Sequence, residues 1–181
     1  VLTTYDKTRE RLPGDAPKET VGCPVNPRIL KGDREAAHAR YGLDPAVPTL
    51  LVVGGSLGAA TLNALALAAA RMTERPWQLI WITGPAYHAQ ASRDLGEVPP
   101  GVALVDYENR MGDAYAAADM AVCRAGSSTL AELTAVGLPS LLIPSPNVTE
   151  NHQEANARGL EEAGAALVMT EAELDVPAAL D

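Results

Sequence analysis

Thr49-Leu50-Leu51-Val52-Val53-Gly54-Gly55-Ser56-Leu57-Gly58-Ala59, in one-letter code TLLVVGGSLGA, leads into an alanine- and leucine-rich run that ends at Met72. Five apolar or β-branched residues without polar alternation read as a strand buried on both faces, the kind found in parallel sheets. Glycines at 54, 55 and 58 then break the strand, and Ala59–Met72 carries helical spacing. Strand, glycine turn and helix form the opening unit of a doubly wound α/β layer, where ligands settle beyond the carboxyl ends of the strands.

The same unit recurs downstream. Further strands are expected at Leu79–Thr83, Val102–Val105, Met120–Cys123, Ser140–Ile143 and Ala166–Met169. Helices are expected at Ala59–Met72, Tyr87–Leu95, Asp113–Ala118, Thr129–Val136 and Asn151–Ala163, with Asp33–Tyr41 leading into the first strand. Gly137-Leu138-Pro139 and Gly164 stand where helices stop. The succession predicts a Rossmann-like, doubly wound parallel sheet. Residues 1–21, charged and then broken by Pro13-Gly14 and Pro17, fall outside this rhythm and read as the tail of another domain plus a linker. Residues 22–181 read as the domain proper. Because the chain stops soon after the sixth strand, it is expected to be a fragment at both ends.

Composition narrows the function classes. The 181 residues are 47% apolar but only 4% aromatic, with no Phe, so the core must be built from Ala, Leu, Val and Ile. A formal charge of −9 argues against nucleic acid or anionic lipid as the main partner of this segment. Any phosphate must be gripped locally. Cys23 and Cys123 are far apart and lack a C-x-x-C partner, which points away from a zinc site or disulfide framework and toward a reduced cytoplasm. Leu57–Ala70, the longest weakly polar stretch, is too short to span a bilayer, and the start at Val1 has no signal-peptide layout. Asn147-Val148-Thr149 matches a glycosylation sequon, a chance match in that compartment.

Three loops are candidates for chemistry. The first, Gly54–Ala59, suits phosphate: glycines let the backbone approach a ligand, and the next helix offers N–H groups and a partial positive charge. The dehydrogenase fingerprint fails at Ser56, no acidic residue ends the second strand at Thr83-Gly84, and no Walker Gly-Lys follows. Gly54-x-Ser56-x-Gly58 does match the nucleophile elbow of hydrolases. Asp119 and His152 would complete its triad formally, but Asp119 precedes its strand and His152 opens a helix rather than sitting in a late loop.

The second loop is Arg124-Ala125-Gly126-Ser127-Ser128-Thr129-Leu130-Ala131-Glu132. Thr129-x-x-Glu132 has the form of a capping box, in which Glu132 folds back to the Thr129 N–H. If Ser127 or Ser128 caps instead, the Glu132 carboxylate is able to reach over the strand ends, where it would accept from vicinal sugar hydroxyls. The third loop, Pro144–Gln153, brings His152 and Gln153 to a helix start. No D-x-D or H-E-x-x-H occurs, so no metal and no cofactor is indicated.

In combination these loops resemble the MurG family of glycosyltransferases, which convert lipid I to lipid II in peptidoglycan synthesis. The resemblance rests on Gly54-Gly55-Ser56-Leu57-Gly58-Ala59, on Tyr115-Ala116-Ala117-Ala118-Asp119 through Cys123-Arg124-Ala125-Gly126 to Thr129 and Glu132, and on Pro144 and His152-Gln153-x-x-Asn156-Ala157. It runs from about Val21 to Ala166 and implies the donor-binding C-terminal half of a two-domain GT-B enzyme. It further implies that Gly55, Ser56 and Gly58 contact the diphosphate of UDP-N-acetylglucosamine and that Glu132 binds the ribose. Ser127, Ser128, Thr129 and Gln153 would surround the diphosphate and sugar, with His152 nearby. The backbone at Glu108 would read the uracil.

The resemblance implies inverting transfer, with no catalytic residue in this chain. The base, the lipid I site and the membrane contact, on the inner face of the cell membrane, belong to the family's N-terminal domain. Two departures stand out. The family often has an aliphatic residue at position 108, and its Gly-Asn-Pro-Val-Arg motif is here Gly22-Cys23-Pro24-Val25-Asn26, with Arg28 as the nearest basic substitute. Alternatives are another GT-B nucleotide-sugar enzyme, such as a UDP-N-acetylglucosamine 2-epimerase, or a UDP-sugar-holding subunit that needs a separate partner.

Overall fold

The computed structural model describes residues 1–148 and 151–174. Thr149 and Glu150 of the third loop, and residues 175–181, lie outside the described residues. Near the start, β1 (Leu2–Thr3), α1 (Asp6–Arg11) and β2 (Glu19–Thr20) form a small parallel pair with Leu2 opposite Glu19. A 3₁₀ turn, Pro27–Lys31, and α2 (Arg34–Tyr41) then lead into the main body.

That body alternates strictly: β3 (Thr49–Val53), α3 (Ala60–Arg71), β4 (Gln78–Ile82), α4 (Pro85–Leu95), β5 (Val102–Val105), α5 (Met111–Ala117), β6 (Met120–Cys123), α6 (Ser127–Val136), β7 (Ser140–Leu142), α7 (His152–Glu162) and β8 (Leu167–Val168). All six expected strands are present within one residue of their expected ends. Two of the helices begin at residues with a physical reason to be there. Pro85 occupies the first turn of α4, where its missing N–H costs nothing. Gly126, with extended backbone, is the N-cap of α6, so that helix opens at Ser127.

The six strands are parallel, in the order β5-β4-β3-β6-β7-β8. The chain builds outward from β3 through β4 to β5, then returns to β6 on the other side of β3. Loops leaving β3 and β6 therefore diverge, and a crevice opens between them. Strand alternation divides the core. Leu51, Val53, Ile80, Ile82 and Cys123 face α5, α6 and α7, whereas Val52, Leu79, Trp81 and Val122 face α3 and α4. Small side chains set the spacing: Ala66, Ala69, Ala114, Ala117 and Ala121 are fully buried. Trp81 fills much of the second face, and its indole N–H donates to Asn63 Oδ1 at 2.7 Å. Burial pushes the Cys123 thiol up to about 12, so it behaves as a small hydrophobe.

The lower end of the sheet, before the strands begin, is pinned by ions. Arg34 of α2 makes two bonds to Asp119, at 3.0 and 3.1 Å, and Asp119 also accepts from the Thr49 N–H at 2.8 Å. The end of the 3₁₀ turn is keyed to α5 by a backbone contact: a Cβ on Gly32 would lie 1.9 Å from the Gly112 carbonyl oxygen.

Candidate functional site

The glycine loop after β3 is shaped by packing as much as by any ligand. Gly58 has φ +76°, and a Cβ there would sit 2.4 Å from the Thr83 carbonyl oxygen; one on Gly84, φ +81°, would sit 2.6 Å from Gly58. Two main chains thus run in contact across the ends of β3 and β4, where no side chain fits. The Gly58 N–H closes the turn onto Gly55 at 3.0 Å. Ser56 is exposed on this loop, and Leu57 beside it is 82% exposed.

Opposite it stands α6. No side chain caps it at Gly126, and its first turn, Ser128 and Thr129, lines a cleft of about 270 Å³ together with Gly55, Ser56 and Glu132. The capping-box expectation is corrected here. Thr129 is the third residue of the helix, so Glu132 stands a turn further on and cannot reach back to a helix-opening N–H. Its Oε2 instead accepts from the buried Tyr115 hydroxyl at 2.8 Å. Neither Ser127 nor Ser128 is the cap. Burial, and then the Glu132 charge, push the Tyr115 phenol well above its usual range, so it stays a donor.

The other end of the cleft is apolar: Val53, Ile82, Tyr107 and Met111. Glu108 borders it, but its carboxylate turns inward, accepting from Tyr41 at 2.6 Å, Arg40 at 2.8 Å and the Arg110 N–H at 2.6 Å. Burial by itself would raise the Glu108 pKa; these three donors outweigh it and hold the carboxyl below its ordinary value.

Six of the residues singled out by sequence, Gly55, Ser56, Glu108, Ser128, Thr129 and Glu132, are brought together here. The other four surround the cleft without lining it. Gly58 lies under the loop. Ser127 accepts from Asn156 at 3.3 Å, and Gln153 accepts the Ser145 N–H at 2.9 Å, so both tie α7 to its neighbours. His152 is exposed at the start of α7. Asn26 caps the 3₁₀ turn by accepting the Arg28 N–H at 3.0 Å, and Arg28 is exposed. A hydrolase triad has no geometry to stand on: Asp119 is bound to Arg34 and Thr49 at the opposite end of the sheet from Ser56.

No Lys or Arg lines the cleft among the described residues. Arg124, at the end of β6, is held by the carbonyls of Ile143 and Pro144, at 3.0 and 3.1 Å, and by Glu171, which also accepts from Thr61 at 2.8 Å. An anion in the cleft would therefore meet main-chain N–H groups and the positive end of α6. Among the described residues, no group of three or more His, Cys, Asp or Glu is placed to hold a metal ion. Sequence reading missed Tyr107 and Met111, and gave Tyr115, though it stands in the motif that carries the resemblance, no role at the site. The i,i+4 spacing of Met111 and Tyr115 on one face of α5 was the available signal.

A larger depression of about 530 Å³ lies at the other end of the strands, between Ile29 and Leu30 of the 3₁₀ turn and the end of α6. Its one charged side chain, Asp119, is already paired.

A switch-point cleft over a six-stranded parallel sheet, with a held carboxylate facing a glycine loop, is the arrangement of the C-terminal half of a GT-B glycosyltransferase fold. The chain belongs to the family described as the glycosyltransferase family 28 C-terminal domain, whose model matches residues 49–181. The resemblance to the MurG family is borne out among curated relatives. The UDP-N-acetylglucosamine--N-acetylmuramyl-(pentapeptide) pyrophosphoryl-undecaprenol N-acetylglucosamine transferase of Salinibacter ruber is 44% identical over 156 residues, covering 85% of this chain and 42% of that protein. The enzyme of the same name from Symbiobacterium thermophilum is 42% identical over 184 residues, covering 99% and 49%. The chain thus spans less than half the length of each. Among solved structures, MurG of Acinetobacter baumannii superposes with a TM-score of 0.68 over 92% of this chain and 47% of that one, at 24% identity, a likeness of fold.

Proposed function

We propose that this chain is the donor-binding half of an inverting transferase that moves N-acetylglucosamine from UDP-N-acetylglucosamine to lipid I. The observation that carries the reading is the Glu132 carboxylate, held by Tyr115 across a cleft from the backbone of Gly55 and Ser56. A carboxylate so placed accepts from paired ribose hydroxyls, while the glycine loop and the first turn of α6 meet the diphosphate. The flat base lies on the apolar wall of Val53, Ile82, Tyr107 and Met111.

In the reaction, the acceptor hydroxyl attacks the anomeric carbon of the sugar, the bond to the diphosphate breaks with inversion, and UDP leaves carrying the electron pair. This half supplies oriented dipoles that stabilise the charge growing on UDP. Residues 1–21 are the end of a preceding domain that carries the acceptor site, the base and the contact with the inner face of the membrane; no helix among the described residues is long and apolar enough to cross one.

The test is titration of the chain with UDP, ADP and NAD, followed by an assay with UDP-N-acetylglucosamine and lipid I. UDP should bind best, and no sugar should be transferred until the N-terminal domain is added. Preference for ADP or NAD removes the transferase reading, and turnover by the chain alone relocates the catalytic residues.

A further inference from the structure

The Tyr107–Arg110 loop, which borders the apolar end of the cleft, is fastened by a cluster that no sequence motif announced. Glu108, whose side chain is 4% exposed, points away from the cleft. One of its oxygens takes the Arg40 guanidinium and the Tyr41 hydroxyl, both from the last turn of α2; the other takes the Arg110 N–H. Arg40 lies 4.5 Å over the Tyr41 ring and 3.6 Å from Asp113, and Asp113 pairs with Arg110 at 2.7 Å. Two carboxylates thus face two guanidiniums around one phenol, and the charges cancel. A buried carboxylate is tolerated only when its partners are in place, so α2 and the loop are obliged to stay together.

The cluster consequently restrains the loop. The bond from the Arg110 N–H to the Glu108 carboxylate closes a tight turn in the main chain, and Arg110 is also the N-cap of α5. Since the Glu108 side chain is spent inward, position 108 offers a ligand its main chain, beside the Tyr107 ring on the cleft wall. Main-chain groups discriminate between bases only if they cannot turn. Uracil presents an N–H donor beside a carbonyl acceptor, and cytosine presents the reverse, so a fixed C=O and N–H pair accepts one and opposes the other.

We propose that Arg40 and Tyr41, acting through Glu108, are positioning residues that set the base selectivity of the cleft. The proposal rests on the nucleotide reading above and adds to it a specificity device carried by α2, outside the cleft.

The experiment compares dissociation constants for UDP and CDP, with melting temperature, in the wild-type chain and in Tyr41→Phe, Arg40→Met and Glu108→Gln. The wild type should favour UDP by about tenfold or more, the discrimination of a main-chain pair that opposes the wrong base. Each variant should lower that ratio by about threefold or more, the worth of roughly one net hydrogen bond. Tyr41→Phe removes one oxygen and keeps the chain folded if the larger changes do not. An unchanged UDP-to-CDP ratio with a lowered melting temperature overturns the proposal and leaves the cluster a structural one. A wild-type chain that binds UDP and CDP alike, or neither, overturns the nucleotide reading and the proposal with it.

Discussion

The Tyr115 hydroxyl and the Glu132 carboxylate meet at 2.8 Å across the interface of α5 and α6, at the wall of the cleft. The bond fixes the carboxylate's direction before any ligand arrives. If Glu132 holds the ribose, Glu132→Ala should weaken UDP binding by roughly 1.5–3 kcal/mol, the cost of a charge-assisted hydrogen bond, or about 10- to 150-fold. Isothermal calorimetry measures it. Unchanged affinity with a lowered melting temperature would assign Glu132 a structural role.

Tyr115→Phe separates orientation from contact. It removes the donor and keeps the ring, so UDP affinity should fall by roughly two- to tenfold, about one net hydrogen bond. The preference for UDP over its 2′-deoxy analogue should shrink with it. Loss of affinity with undiminished 2′-hydroxyl discrimination would mean that Tyr115 supports the cleft wall alone.

Ser56 sits exposed on the glycine loop, at the opposite end of the sheet from Asp119. Ser56→Ala should lower UDP affinity by no more than about tenfold, the loss of one neutral hydrogen bond. A fluorophosphonate probe should leave Ser56 unlabelled, and mass spectrometry of the treated protein checks this. Covalent labelling would restore the hydrolase reading.

Acid should loosen the fold in a defined window. Glu108, Asp119 and Glu171 all have depressed pKa values, because their donors outweigh the burial that opposes ionisation. A depressed carboxyl contributes stability in full above its unfolded value, about 3.9 for Asp and 4.3 for Glu, and loses it as pH falls through the folded value. Melting temperature should therefore hold from pH 7 to about 5 and fall below about 4.3. Glu108→Gln should begin from a lower plateau and fall less steeply. An equal slope in both proteins would assign the acid loss elsewhere.

Much of this architecture was legible because it is written in runs. TLLVV, LIWIT and MAVC lack polar alternation, and each is followed within three residues by glycine, so strands, helices and their parallel arrangement could be read directly. The first twenty residues were not legible in this way: β1 and β2 are two residues each, too short to carry a period. The cleft was half legible. Ser56 stands in a loop that follows one strand, and Ser128, Thr129 and Glu132 in the opening turns of the helix that follows another, where spacing points to ligands. Tyr115 lies inside a helix and Met111 just ahead of where that helix was expected to begin, so neither stands in a strand-end loop, and the partners of Glu108 come from 67 and 68 positions earlier in the chain. No local pattern encodes such a meeting.

The contact of Gly58 with Gly84 has a consequence for the comparison of relatives. A residue that admits no side chain is invariant whether or not a substrate ever passes, so a column of unbroken glycine at either position in an alignment would report on packing. Gly58→Ala should cost about 2 kcal/mol or more in chemical unfolding, since it adds a clash to an unfavourable φ. Gly55 has no atom within 4 Å of where a Cβ would stand, so a substitution there meets only the strain of its φ of +86° and no clash. A smaller loss of stability at 55 than at 58 would mark, residue by residue, where close packing ends and the binding surface begins.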